Sequence, residues 1–219
     1  MIARAPRWHE VTAIFGGTFD PPHVGHLEAV KGLFHTPGVK NVIILPTASP
    51  PHKPSFAASG HRARMAELCF TDPSLDIRFD TRELERSRLH ADSPSYTYNT
   101  LLELRREIPS LAFVIGADQL ASFPTWYRFP EVLELAHWIV LERKEAPSVS
   151  SDAANTTLKL AEKGPTFMKI VPTNARALSS TRIREEIART GHPPANSLTT
   201  EVIEYIRKNR LYGADSTSR

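Results

Sequence analysis

The sequence predicts an α/β protein built on a parallel sheet with helices on both sides. Three observations carry that reading: short apolar runs recur along the chain, longer segments between them space apolar residues three and four apart, and the two kinds alternate. The runs are "VTAIFG" (11–16), "NVIILP" (41–46), "LDIRF" (75–79), "LAFVIG" (111–116), "HWIVLE" (137–142) and "FMKIVP" (167–172). Several are apolar almost throughout, as strands covered on both faces are. The helix-type segments are "HLEAVKGLF" (26–34), "HRARMAELCF" (61–70), "TLLELRREI" (100–108) and "PEVLELA" (130–136). Strand, helix, strand in this order gives the Rossmann-like, doubly wound class.

After Val171 the pattern changes to "SSTRIREEIART" and "TTEVIEYIRKNRLY", helical stretches with serine or threonine at their starts. They are expected to pack on the sheet's edge. A single domain over 1–212 with a frayed tail over 213–219 suits the 219 residues, and "KEAPSVSSDAANTT" (144–157) reads as a polar surface loop. A formal net charge of +3 is compatible with anionic ligands and does not by itself imply nucleic acid. No run approaches the roughly 18 apolar residues of a membrane span, and the N-terminus lacks the apolar core of a secretory signal, so a cytoplasmic protein is expected. The one cysteine, Cys69, sits among apolar neighbours and reads as a buried, inert thiol.

The chemistry concentrates in "FGGTFDPPHVGHL" (15–27). The first strand runs into Gly16-Gly17, where the backbone is expected to turn with its amides exposed, and a helix begins near His23. A helix N-terminus at the carboxyl edge of a parallel sheet favours an anion. His23 and His26, three apart, share one face of the first turn. The expected occupant is a phosphate group. Neither GxxxxGK[ST] nor a GxGxxG after the first strand is present, which lowers the weight of ATP hydrolysis and dinucleotide oxidoreduction. By themselves, these residues are equally compatible with His23 as an ordinary helix cap and His26 as a surface or core histidine.

The stretch "GGTFDPPHVGH" resembles the signature of the HxGH nucleotidyltransferase superfamily, and specifically of bacterial nicotinate-nucleotide adenylyltransferases. The resemblance continues in order through "LPTASPPHK" (45–53), "SYT" (95–97), "IGADQL" (115–120), "FPTWYRFPEVL" (123–133) and "LSSTRIREEI" (178–187). It implies transfer of the AMP moiety of ATP to nicotinate mononucleotide, giving nicotinate adenine dinucleotide and pyrophosphate. The attacking phosphate is already ionised at neutral pH, so positioning and charge neutralisation supply most of the acceleration. No Ser-His-Asp set or HExxH is needed.

On this resemblance His23, His26 and Arg184 are the catalytic residues, with His26 stabilising charge at the α-phosphate. Gly16, Gly17, Thr18, Phe19, Asp118, Ser179 and Thr181 join them around ATP. Lys53, Thr97, Trp126 and Tyr127 would hold the mononucleotide: Lys53 at its phosphate, Trp126 stacked on the pyridine ring, and the backbone amides of Thr97 and Tyr127 at the nicotinate carboxylate. Without the resemblance, Trp126 could equally be a core residue, Lys53 a solvated cation, Asp118 a helix cap, and Ser179 to Arg184 the start of an ordinary amphipathic helix. Two departures stand out: Leu178 replaces the usual isoleucine, and Asn99 stands where relatives often carry an acid.

Mg²⁺ is expected to arrive with the ATP phosphates, no metal-ligating residues being assigned to the protein. Asp20 could reach it through water, or fix its own loop by a local side-chain bond. The alternatives are an adenylyltransferase for nicotinamide mononucleotide or phosphopantetheine, or a nucleotide-binding sensor without turnover. ATP and nicotinate mononucleotide are the expected partners, with no nucleic acid or membrane, and a homo-oligomer is possible.

Overall fold

A computed structural model of the chain describes residues 8–50, 55–89, 94–143 and 166–214, together with Asn155, Thr157 and Lys159. Lys53 and most of the 144–157 loop lie outside the described residues. Six strands, β1 (Val11–Gly17), β2 (Val39–Pro46), β3 (Ile77–Phe79), β4 (Leu111–Gly116), β5 (His137–Arg143) and β6 (Met168–Thr173), form one sheet in the order β3-β2-β1-β4-β5-β6. Every neighbouring pair is parallel. The order reverses between β1 and β4, and the carboxyl ends of these two strands flank the crevice where open α/β sheets take ligands.

The apolar runs were read as strands covered on both faces, and the side chains divide accordingly. Val11, Ala13 and Phe15 of β1, Ala112 and Val114 of β4, and Ile139 and Leu141 of β5 enter one core. Ile14, the Leu111-Phe113-Ile115 set, Trp138 and Val140 enter the other. Along β1, β4 and β5 the side chains therefore alternate between two apolar cores.

On the first face lie α1 (Val24–Leu33) and α2 (Ser59–Cys69), and the C-terminal helices α5 (Ser180–Thr190) and α6 (Thr200–Lys208) extend the same layer. Ile183, Ile187, Val202 and Ile206 join the same core as Val11, Ala13 and Phe15 of β1, so these helices cover a face of the sheet. Ala214 is buried with them. The second face is covered by α4 (Thr97–Glu107) and by three short 3-10 turns. One of these, Glu131–Glu134, replaces the helix expected at 130–136. Between β3 and α4 the chain adds α3 (Arg82–Leu89), "RELERSRL", whose apolar pattern is too sparse to mark a helix. Ion pairs fix it instead: Arg86 meets Glu103 at 2.6 Å and Arg82 meets Glu107 at 2.8 Å, both across to α4.

Candidate active site

Gly16 and Gly17 end strand β1 in extended backbone rather than forming a separate hinge. Their small size answers a different need. A Cβ at Gly17 would lie 2.7 Å from the ring of Phe19, and one at Gly16 2.9 Å from the ring of Phe113. Phe19 adopts a left-handed φ of 50° and is buried, edge-on to His26 with centroids 5.5 Å apart. Thr18 gives its carbonyl to the guanidinium of Arg62 at 2.7 Å.

His23 is the N-cap of α1, as the plainer reading of the sequence allowed, but the cap is reciprocal. The His26 amide donates to His23 Nδ1 and the His23 amide donates to His26 Nδ1, each at 3.2 Å. This is a capping box made from two imidazoles, and it stacks the rings at 3.6 Å with 13° between planes. Since each Nδ1 accepts a hydrogen bond, each ring carries its proton on Nε2 and is a donor there. No acidic residue stands in the first turn of α1, so the positive end of the helix is not neutralised locally.

The intervening Gly25 explains how a distant segment joins this turn. A Cβ there would lie 2.5 Å from the carbonyl oxygen of Arg176. Arg176 is held by Glu28 of α1, whose carboxylate accepts from its amide at 2.8 Å and its Nε at 2.7 Å. Although burial opposes it, these bonds to Arg176 hold the Glu28 carboxyl below its ordinary range. The segment then enters α5, with Ser179 as N-cap, its hydroxyl making no cap bond. Ser180 Oγ donates to the Pro21 carbonyl at 2.9 Å. Arg184, only 7% exposed, donates to the Asp20 carbonyl at 2.6 Å and to Thr181 Oγ1 at 3.3 Å. The phenyl ring of Phe56 lies 4.1 Å from its guanidinium carbon. The imidazole pair and Arg184 are thus brought to one loop, residues 20–23, from opposite ends of the chain.

Asp20 fixes that loop, through long-range bonds rather than a local one. Its carboxylate accepts from the amides of Phe56 (2.7 Å) and Ala57 (3.2 Å) and from the hydroxyl of Tyr212 (2.7 Å). Arg62, 1% exposed, donates to the carbonyls of Ala57 and Ala48 at 3.1 and 2.7 Å, and also to those of Thr18 and Thr47. It joins the ends of β1 and β2. Sequence reading missed Arg62 and Tyr212; a charged residue on the otherwise buried stripe of α2, beside Ala63, Met65, Ala66 and Cys69, was the available signal. Cys69 is buried as expected, and burial pushes its thiol up to about 12.

Beside Gly16, Gly17 and Thr18, a cavity of about 330 Å³ opens between β1, β4 and the start of α4. Thr97, Trp126 and Tyr127 all line it, together with Ser95, Tyr96, Gln119 and the unforeseen Glu83. Tyr96 caps α4 without a side-chain bond, and no acid occupies the first turn, so the amides there, Thr97 and Tyr98 among them, present an open positive end. Trp126 is half-buried, edge-on to Phe123 with centroids at 4.5 Å, and is neither a core residue nor free of the core. Tyr127 is 47% exposed and stacks on Tyr96 at 4.5 Å. Asp118 sits exposed in the turn after β4, at the same sheet edge, outside the cavity lining. Pro50 lines the cavity where the chain leaves toward Lys53.

A six-stranded parallel sheet with paired imidazoles at its first strand-to-helix turn, and an arginine from a late helix on that turn, defines a nucleotidyltransferase. The chain belongs to the cytidylyltransferase-like family, which matches residues 14–186. Relatives named "Probable nicotinate-nucleotide adenylyltransferase" include one from Klebsiella pneumoniae, 37% identical over 93% of this chain and 97% of its own length. Another, from Citrobacter koseri, is 37% identical over 91% of this chain and 97% of its own. The fold is shared with the Plasmodium falciparum nicotinic acid mononucleotide adenylyltransferase. Its complex with APC has a TM-score of 0.72 at 18% identity, covering 95% of this chain and all of that one. Its complex with NaAD scores 0.65 at 16%, with the same coverage.

Proposed function

We propose that the chain joins nicotinate mononucleotide to the AMP moiety of ATP, releasing nicotinate adenine dinucleotide and pyrophosphate. The observation that carries this reading is the pairing of two anion-binding places at one crevice: the imidazole turn with Arg184, and the uncapped start of α4 inside an aromatic-walled cavity. ATP takes the first and the mononucleotide the second, with the α-phosphate meeting the attacking phosphate beside Gly16 and Gly17.

In this arrangement the Nε2–H groups of His23 and His26 and the guanidinium of Arg184 receive the charge that grows on the phosphates as the bond to pyrophosphate breaks. Ser179 and Thr181 add donors at the N-terminus of α5. Thr18 and Phe19 shape the loop over the triphosphate, and Asp118 accepts from a ribose hydroxyl. Trp126 stacks on the pyridine ring, the amides of Thr97 and Tyr127 meet its carboxylate, and Lys53 meets the mononucleotide phosphate. ATP enters as its Mg²⁺ complex, the ion keeping substrate phosphates and waters as ligands. The carboxylate of Asp20 is already shared among two amides and a phenol, which suits it to holding the loop rather than the ion.

Pyrophosphate release with Mg²⁺, ATP and either the acid or the amide mononucleotide tests the proposal. The expected result is turnover with kcat/KM favouring the acid, because donors awaiting an anion are poorly paired by an amide. No pyrophosphate with the acid refutes it.

A further inference from the structure

Phe56 is an apolar side chain in a place that burial does not explain. It is 69% exposed and joins none of the apolar clusters, yet the backbone around it is tightly held. The Phe56 and Ala57 amides both donate to the Asp20 carboxylate, at 2.7 and 3.2 Å, and the Ala57 carbonyl accepts from Arg62 at 3.1 Å. These bonds deliver the phenyl ring onto Arg184, whose guanidinium carbon lies 4.1 Å from the ring centroid. A ring that buries so little of itself adds little to folding. A cation held over an aromatic face, by contrast, is attracted by it at this distance.

Arg184 gives one N–H to the Asp20 carbonyl at 2.6 Å and another to Thr181 Oγ1 at 3.3 Å. Two contacts in the plane of a guanidinium leave it free to pivot about the line that joins them. A contact on its face removes that freedom. We propose that Phe56 is a positioning residue for Arg184: its ring holds the plane of the guanidinium, so that the donors not given to Asp20 and Thr181 stay turned toward the phosphates of ATP. The inference rests on the proposed function, which assigns Arg184 to the triphosphate, and deepens it. Asp20 sets both partners, its carboxylate taking the Phe56 amide and its carbonyl taking Arg184. The ring also covers one face of a cation that is 7% exposed, and a cation shielded from water attracts a phosphate more strongly. A donor fixed before the charge develops needs no reorganisation when it does.

The test measures kcat and KM for each substrate, as dinucleotide formation, in the wild type and in Phe56→Ala, Phe56→Leu and Phe56→Tyr, beside thermal melts. Phe56→Ala should lower kcat/KM for ATP by about 5- to 30-fold, the equivalent of about 1–2 kcal/mol for a cation–π contact to a largely desolvated guanidinium. KM for the mononucleotide should hold, and the thermal midpoint should move by less than about 2 °C, since the side chain is exposed. Phe56→Tyr, which keeps the aromatic face, should stay within about twofold of wild type. Phe56→Leu, which keeps an apolar contact without that face, should recover little. Pyrophosphate has no base to stack on the ring, so its inhibition constant against ATP should rise in Phe56→Ala by a factor similar to the loss with ATP. An unchanged kcat/KM for ATP in Phe56→Ala, equal losses for both substrates, full activity in Phe56→Leu, or an unchanged pyrophosphate inhibition constant overturns the inference while leaving the adenylyl-transfer reading intact. A wild type that forms no dinucleotide overturns both.

Discussion

Replacing His26 by alanine separates what its ring does for the fold from what it does for a phosphate. The ring is half-buried, stacked on His23, and its Nδ1 satisfies the His23 amide at 3.2 Å. Loss of that half of the cap costs about 1 kcal/mol. The His23 half, from the His26 amide to His23 Nδ1, needs only the backbone of residue 26 and survives. A chain of this size should remain folded, with a thermal midpoint lower by about 2–4 °C. Catalysis should suffer far more, because the Nε2–H donor is held in place before the charge develops. Removing one such donor costs roughly 10²–10³ in kcat, or about 2.7–4 kcal/mol. Steady-state pyrophosphate release at saturating ATP and mononucleotide, beside a thermal melt, reads both quantities. A folded His26→Ala enzyme with kcat within about threefold of wild type would refute the reasoning.

Three further outcomes follow from the same geometry. Trp126→Ala should raise KM for the mononucleotide by about 5- to 150-fold, from the roughly 1–3 kcal/mol of base–aromatic stacking, while KM for ATP holds; equal changes in both would place the indole elsewhere. Tyr212→Phe removes the donor to Asp20 Oδ1 and should destabilise the protein by about 1.5–3 kcal/mol in urea unfolding, with KM for ATP raised because the Asp20 loop also meets Arg184. Burial followed by the Asp20 bond pushes this phenol well above its ordinary range, so the donor should persist into alkaline solution. Cys69, raised from 9.0 to about 12 by burial, should resist iodoacetamide at pH 8 until the chain unfolds. Its sign is that of a group favouring the protonated form when folded: its contribution is full below about pH 9 and declines as pH rises toward 12. Rapid alkylation of the folded protein would contradict the burial.

The sheet was legible because its strands are apolar on both faces, a pattern that survives without knowledge of any partner. Each of the expected runs falls on a strand, and the ends differ by a few residues. α3 was not legible, since ion pairs to α4 hold it and its few apolar residues show no period. From its residues alone the first turn suited an anion site and an ordinary helix cap equally, and the structure makes His23 the cap. That Gly25 exists to admit the Arg176 carbonyl could not be read, because the approach joins segments about 150 residues apart in the chain. Thr97, Trp126 and Tyr127 were expected at the mononucleotide by family resemblance alone, and all three line one cavity. Glu83, Arg62 and Tyr212 escaped because a buried polar group is defined by what it touches, and charged residues in helices or a tyrosine near a terminus look like surface.

On the proposed function, the imidazole pair and Arg184 serve one triphosphate. A crystal structure with a non-hydrolysable ATP analogue and nicotinate mononucleotide tests it most directly. Analogue phosphates are expected within hydrogen-bond distance of His26 Nε2 and the Arg184 guanidinium, with the pyridine ring against Trp126. Phosphates bound away from either side chain would contradict it.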